Sequence, residues 1–392
     1  MSAPELKYAR CRAMLTLWVA MGVGCGKSNL PPAVTTVPTG GTVLPTAIHS
    51  VTTAPPATLP IASETATPAP EPPKATPVPL GDGIHWTKYP GNPVLELGPE
   101  GTWDDTLVAG PRVLKTASGY LMMYTGFDGT RVNAELSFDY GYTLGVANSL
   151  SGMAWEKHSL NPVLTLPGGE FGMLWHDLIV ERGAYYTYYA RGSRLVGNTA
   201  QRIYRATSPD GLTWTPGETP LIEPAPSRGF DDLDVLAPTV LVEDGIFKMW
   251  YTAVQQGGDS SIAYATSEDG LTWTKYTGNP VLTTTQTPGV SETPGVFAQL
   301  ISGPYYPAVV KLGDRYLMWY SFEGSIHLAT SPDGVAWTPD PENPVLRPGH
   351  QGEWDSEGVL EPSVVFDGRA LHMWYTGSSG GFEERIGYAT SP

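Results

Sequence analysis

At 392 residues the chain is too long for one small module and too short for three ordinary domains. Charged residues make up only 16%, while 45 Gly, 38 Pro, 12 Trp and 20 Tyr argue against a helical bundle and for short strands joined by tight turns. A net charge of −16 argues against a nucleic-acid or anionic-membrane surface, either of which needs clustered Lys and Arg.

Lys7, Arg10 and Arg12 precede an apolar run, Ala13 to Gly24, that ends at Cys25. This pattern predicts an export signal over 1–25, since the run is too short to span a bilayer comfortably. Gly22-Val23-Gly24-Cys25 resembles a bacterial lipobox with Gly where Leu is usual, so Cys25 is the expected lipid attachment point; plain secretion is the alternative. Cys11 and Cys25 are the only cysteines, so the rest of the chain holds no disulfide and no thiolate metal site. From Pro31 to Leu80, 24 of 50 residues are Pro or Thr and none is aromatic. Too little apolar surface is available there to offset ordering, which predicts a disordered tether over 26–80.

Over 81–392 one phrase repeats: Ala206-Thr-Ser-Pro-Asp-Gly-Leu-Thr-Trp214, Ala265 to Trp273, Ala329 to Trp337, and a weaker copy from Ala147 to Trp155. Asn-Pro-Val-Leu follows at Asn161, Asn279 and Asn343, with Thr219-Pro-Leu-Ile222 as a degenerate copy. Met-Trp-Tyr or a relative precedes it, ending at Tyr124, Tyr189, Tyr251, Tyr320 and Tyr375. Alternating runs such as Tyr316-Leu-Met-Trp-Tyr320 and the Asp-Gly turns predict four antiparallel strands per unit, a β-propeller blade. The chain stops halfway through a unit at Ile386-Gly-Tyr-Ala-Thr-Ser-Pro392, and Asp82 to Leu95 reads as the missing half. The expected fold is therefore all-β: five blades, closed by an N-terminal strand that completes the last one. The Asp-Gly turn and Asn-Pro-Val-Leu are read as structural, with Asp bonding its own backbone and Gly taking positive φ.

Residues entering the innermost strand and those after Met-Trp-Tyr share one face of a propeller. Aligning on the strand-one Pro gives Gly110, Asp177, Ala237, Tyr306 and Glu361, a set that varies where a purely structural repeat would not. Seven residues before that Pro stand Asp104, Asp231 and Asp355, read as loop caps. Asp105, Asp234, Trp175, His176, Arg191, Tyr306, Glu323 and Trp354 complete the candidates at the mouth. Acids, aromatics and a few Arg around one opening suit a neutral polyhydroxyl ligand.

These phrases resemble the five-bladed fold shared by glycoside hydrolase families 43, 32, 68 and 130, over Gly81 to Pro392. The resemblance implies two or three catalytic carboxylates around the channel. Asp177 matches the acid of the second blade. Gly110 and Ala237 stand where the families carry Asp and Glu, and no invertase phrase is present. The expectation is thus a secreted or lipid-tethered, monomeric glycoside hydrolase or transglycosidase. Asp177 and Glu361 lead, Asp234 and Asp105 stand in reserve, and Trp175, His176, Arg191, Tyr306, Glu323 and Trp354 contact carbohydrate. No cofactor is required; a structural calcium in the channel, near His176 or His327, is the alternative. A carbohydrate-binding propeller that does not cut is the second reading.

Overall fold

The computed structural model describes residues 84–128, 142–166, 172–192, 200–225, 229–286, 302–380 and 383–392, all within one unit of the chain. The signal segment with Cys25, and the tether, lie outside the described residues. Among the described residues there is no α-helix, only strands and one 3₁₀ turn at Thr284–Gln286.

The strands follow the repeat. β2 (Leu107–Thr116), β3 (Gly119–Phe127), β4 (Thr143–Ser149) and β5 (Glu156–Lys157) pair antiparallel in order. So do β6 (Gly172–Glu181), β7 (Ala184–Arg191), β8 (Arg202–Ser208) and β9 (Thr215–Pro216). β10 (Asp234–Glu243), β11 (Ile246–Val254), β12 (Ser260–Ser267) and β13 (Thr274–Lys275) form the next sheet. β14 (Tyr305–Leu312), β15 (Arg315–Phe322), β16 (Ser325–Ser331) and β17 (Thr338–Pro339) form another. β18 (Gly358–Phe366), β19 (Leu371–Ser378) and β20 (Glu384–Ser391) end the chain, and β1 (Thr87–Lys88) pairs with β20. A single parallel bridge, Leu107 to Glu384, joins this last set to β2, so the two count as one eight-stranded sheet.

The repeated phrases act locally as their chemistry dictates. In each strong copy the Ser hydroxyl (Ser208, Ser267, Ser331) accepts the Gly N–H at 2.8–2.9 Å, and the Asp carboxylate accepts two further backbone N–H groups. Bonds from Thr213 and Leu212 hold Asp210 down at about 2, so it stays ionised as a turn clamp. The Asn of Asn-Pro-Val-Leu fastens the outer edge to the third strand: Asn161 to Val146, Asn279 to Tyr264, Asn343 to Leu328. Asn92 does the same to Tyr388, across the two ends of the chain.

Neighbouring sets pack through one aromatic contact. The middle residue of Met-Trp-Tyr meets the turn Trp of the next set edge-on: Tyr188 with Trp273, Trp250 with Trp337, Trp319 with Trp86 and Trp374 with Trp155, at 5.8–6.3 Å. The Trp250 and Trp374 indoles also donate to the carbonyls of Gly334 and Gly152, both at 2.7 Å. Edge-to-face geometry of this kind adds about 1 kcal/mol per pair beyond burial.

Candidate functional site

The innermost strands β2, β6, β10, β14 and β18 converge, and each breaks register just before its Pro or the equivalent residue. At four of these bulges the residue before Pro has positive φ: Gly110 (60°), Ala237 (48°), Tyr306 (52°) and Glu361 (54°). For a side-chain-bearing residue this costs roughly 1–3 kcal/mol and is retained where the surroundings over-determine it. Each sits fourteen residues before the Tyr that ends the Met-Trp-Tyr phrase.

That spacing corrects the repeat alignment. Asp177 pairs with Tyr188, as Arg112 pairs with Met123 and Ser363 with Trp374. Asp177 therefore lies two residues further along its strand than Glu361 lies along β18, and Trp175 occupies the ring position. The second set has no Pro to mark the bulge, so aligning on Leu178 slips by one pleat. The ring is Gly110, Trp175, Ala237, Tyr306 and Glu361; the layer beneath is Arg112, Asp177, Thr239, Ala308 and Ser363. Below that layer a cavity of about 440 Å³ lies between the five inner strands.

Glu361 and Asp177 both interact electrostatically with the Arg112 guanidinium, and all three are buried. One Glu361 oxygen accepts the Gly110 N–H at 2.7 Å and the Thr376 hydroxyl at 2.6 Å. Burial pushes the Glu361 carboxyl up; those bonds and Arg112 pull it back. Asp177 accepts the Val240 N–H at 2.6 Å and lies 3.6 Å from Arg112 Nε, an ion pair without a hydrogen bond. Burial raises it to about 6 against the pull of Arg112. Arg112 also donates to the carbonyls of Pro111 and Pro362, tying the first inner strand to the last.

The sequence reading misses two members of this cluster. Glu384, buried at the start of β20, is pushed well above the usual carboxylate range by burial and then by Glu361. Tyr305, buried beside Tyr306 with ring centroids 4.7 Å apart, has a hydroxyl without a hydrogen-bond partner. Neither belongs to a repeated phrase, so no pattern marks them. Trp175 packs its ring 5.7 Å from that of Tyr306, against the buried apolar cluster that includes Ala237, Tyr305 and Leu360.

Other candidates fall elsewhere. Asp234 is buried at the start of β10 and accepts the Gln201 N–H at 2.7 Å. Asp105 accepts Gly101 N–H and the Thr106 hydroxyl, bracing its own loop. Trp354 stacks on Tyr375 at 5.9 Å over Gly377 and Gly387, where any Cβ would collide with it. Arg191 rests on the Tyr204 ring, 5.2 Å away. Glu323 occupies the β15–β16 turn with φ 48°, next to Gly324, whose carbonyl accepts Val359 N–H at the entry to β18. His176 is buried with Nδ1 3.5 Å from the Thr125 hydroxyl. His327 lies on β16, packed against Tyr320 and Phe322 and away from the inner strands; burial lowers it to about 4. Among the described residues no three His, Cys, Asp or Glu side chains converge on a point that could hold a metal ion, and the channel calcium has no such donor set here.

Asp104, Asp231 and Asp355 are structural: each receives a Lys from the outermost strand of its own set at 2.6 Å (Lys157, Lys275 and Lys88). The Tyr hydroxyls of Tyr124 and Tyr375 donate to the same carboxylates.

No family model matches the chain. It is 30% identical over 190 residues to uncharacterised proteins of Mycobacterium tuberculosis, a match spanning 47% of this chain and 60% of theirs. It is 28% identical over 165 residues to the A type blood N-acetyl-α-D-galactosamine deacetylase of Flavonifractor plautii, covering 37% of this chain and 20% of that protein. Among solved structures, an N-acetylgalactosamine deacetylase from F. plautii in complex with blood group B trisaccharide aligns with TM-score 0.56 at 18% identity, over 79% of this chain and 94% of that one. A thermostable family-43 glycoside hydrolase aligns with TM-score 0.52 at 20% identity, over 72% and 88%. The chain has the propeller-like fold of these glycan-acting proteins.

Proposed function

We propose that the chain is a glycoside hydrolase in which Glu361 gives the proton and Asp177 is the ionised partner. The observation that carries this is two buried carboxyls sharing one buried guanidinium, Glu361 pushed toward its protonated form and Asp177 ionised above about pH 6. Carboxyls with unlike environments make an acid–base set. The Glu361 proton passes to the glycosidic oxygen as its bond to the anomeric carbon breaks. A water oxygen bonds to that carbon and its proton goes to Asp177. Trp175 and Tyr306 offer ring faces to the sugar. The glycan-acting proteins that share the fold support the substrate class.

We read the architecture as a five-bladed propeller closed by β1. Leu95–Ile386 bridging, matched by Leu144–Leu164 and Ile326–Leu346 elsewhere, supports this, as does the Trp374–Gly152 bond. On the sequence pattern alone we propose export, acylation at Cys25 and a monomer held out on 26–80.

One observation favours a carbohydrate-binding protein that does not cut: register leaves Glu361 as the single carboxyl among the five ring residues. The test is incubation of the full chain with arabinan, xylan, fructan and mannan oligosaccharides, followed by product analysis. Product from wild type that disappears in Glu361→Gln supports hydrolysis. Binding without product supports the second reading, and product undiminished in Glu361→Gln removes Glu361 from the mechanism.

A further inference from the structure

The connection that leaves the third sheet breaks the repeat. From Leu282 to the ring residue Tyr306 it runs 24 positions, against 15 from Leu95 to Gly110, Ile222 to Ala237 and Leu346 to Glu361, and 11 from Leu164 to Trp175. Seven residues before Pro307 stands Leu300, where three other connections have the capping Asp104, Asp231 and Asp355. Beside Thr284 and Ser302, on this connection, lies a cavity of about 380 Å³, lined also by Phe230, Gln255, Asp259 and Ser260. None of its lining residues belongs to an inner strand, so it is separate from the channel. It adjoins the β11–β12 turn, which lies on the mouth face because Val254 pairs with Asp234, just ahead of the bulge at Ala237.

The wall of this cavity is fixed by hydrogen bonds. Gln255 Nε2 donates to one Asp259 oxygen at 2.8 Å and the Ser302 hydroxyl donates to the other. Ser260 N–H bonds the Ser302 carbonyl at 3.0 Å, and Asp232 holds the Gln256 N–H at 2.8 Å. Asp259 is exposed, and those two bonds use about half of the acceptor positions a carboxylate offers. Ser260 is buried with a hydroxyl that no described group bonds, a costly state for such an atom. Phe230 stands where Trp103 and Trp354 stand in other sets, but it packs by Ala253 and Ala263 where those rings meet pairs of glycines. It is half-buried and lines the cavity. Among the described lining residues Asp259 is the one ionisable group, so no cation is there to attract an anion. A flat ring, a carboxylate, an amide and several hydroxyls suit a neutral polyhydroxyl ligand.

We propose that this cavity is a second carbohydrate site, holding one neutral sugar unit of a glycan on the mouth face, outside the channel. Asp259 accepts hydrogen bonds from the sugar hydroxyls, and Phe230 meets its C–H groups. The inference rests on the glycan reading for its ligand and not on hydrolysis.

Threonine methyl NMR of the full-length Glu361→Gln protein locates the ligand while turnover is suppressed. The probes are arabinan, xylan, fructan and mannan oligosaccharides. At least one should shift the Thr284 and Thr285 methyl signals, assigned through Thr284→Ser and Thr285→Ser. Asp259→Ala should raise the Kd read from those shifts at least about tenfold, as loss of a hydrogen bond to a charged group does. Phe230→Leu leaves the Asp259 contacts in place and should raise it too, which guards against collapse of the turn in Asp259→Ala. Shifts confined to Thr239 and Thr376 would put the sugar in the channel alone and overturn the second site. Titrations that leave Thr284 and Thr285 unmoved, or a Kd unchanged in both variants, would do the same. Product from wild type judges the hydrolase reading separately. Product without a shift at Thr284 sinks only the second site, and shifts without product sink only hydrolysis.

Discussion

Lys88 donates to Asp355 at 2.6 Å across 267 positions of sequence, and the bond repeats Lys157 to Asp104 and Lys275 to Asp231. The first described strand is thereby treated as the outermost strand of the last set. Asp355 is buried, so Lys88→Met leaves a carboxylate with the Tyr375 hydroxyl as its remaining side-chain donor. The expected loss is about 1–3 kcal/mol, matched by Lys157→Met and largely restored in Lys88→Met/Asp355→Asn. Chemical denaturation measures all three. A Lys88→Met protein as stable as wild type would show that the terminal strand contributes nothing.

Trp374 offers an independent check on the junction of last and first sets. Its indole bonds Gly152 as Trp250 bonds Gly334, both at 2.7 Å. Phe at either position keeps the ring and leaves a buried carbonyl without its donor, costing roughly 1–3 kcal/mol. Equal losses at the two sites are expected. A loss at Trp250 with none at Trp374 would mean that the chain ends do not meet as the internal sets do.

Asp177 makes stability depend on pH. Its folded value of about 6 lies above the ordinary 3.8, chiefly through burial. Between those values the folded chain keeps a proton that the unfolded chain has lost, so the Asp177 contribution falls as pH rises through about 4 to 6 and is flat on either side. Two units correspond to roughly 3 kcal/mol at most. Wild type minus Asp177→Asn stability should therefore be larger at pH 4 than at pH 7. The opposite trend would mean that Arg112, and not burial, sets this carboxyl.

The strands, the Asp-Gly turns and the Asn-Pro-Val-Leu edges are legible in the sequence because each is a local rule repeated several times. Asp104 and Asp355 are legible as loop caps for the same reason, although nothing in the chain announces their Lys partners. The site is only half legible. Glu361 stands out because its neighbours in the repeat differ from it. Asp177 aligns with the ring residues only when Leu178 stands in for the Pro that the second set lacks; counting back from Tyr189 gives Trp175 instead. Glu384 escapes any reading of pattern, since its importance comes from what β20 brings it beside.

Glu361→Gln should lower kcat by about 10²- to 10⁴-fold on any glycan the chain hydrolyses, as loss of a positioned acid does. Its spectrum and melting temperature should stay near those of wild type. Leaving-group dependence sharpens the assay: an activated aryl glycoside, which needs little protonation, should lose much less than a natural linkage. Equal losses on both would move the acid role elsewhere, to Asp234 first.

Cys25→Ser tests the proposed anchor. A single acyl chain binds membranes only marginally, whereas a lipoprotein carries more than one. The substituted protein should leave the membrane fraction, and the parent should show lipid mass at its N-terminus. Unchanged partition, or a parent without lipid, argues for plain secretion.

The left-handed bulge before each strand-one Pro uncouples what a blade contributes from how the blade is built. A hydroxyl from the neighbouring set, not the bulge residue's own side chain, holds the bulge N–H at Gly110 (Thr376), Tyr306 (Thr252) and Glu361 (Ser321), and Gly, Ala, Tyr and Glu all occupy the turn. A single codon change there alters the chemistry of the mouth while the sheets remain the same. Directed evolution at 110, 237 and 306 should accordingly tolerate acids, rings and amides, and Ala237→Glu offers a short route to a second carboxyl in the ring. A family built this way can diversify in ligand far faster than in architecture.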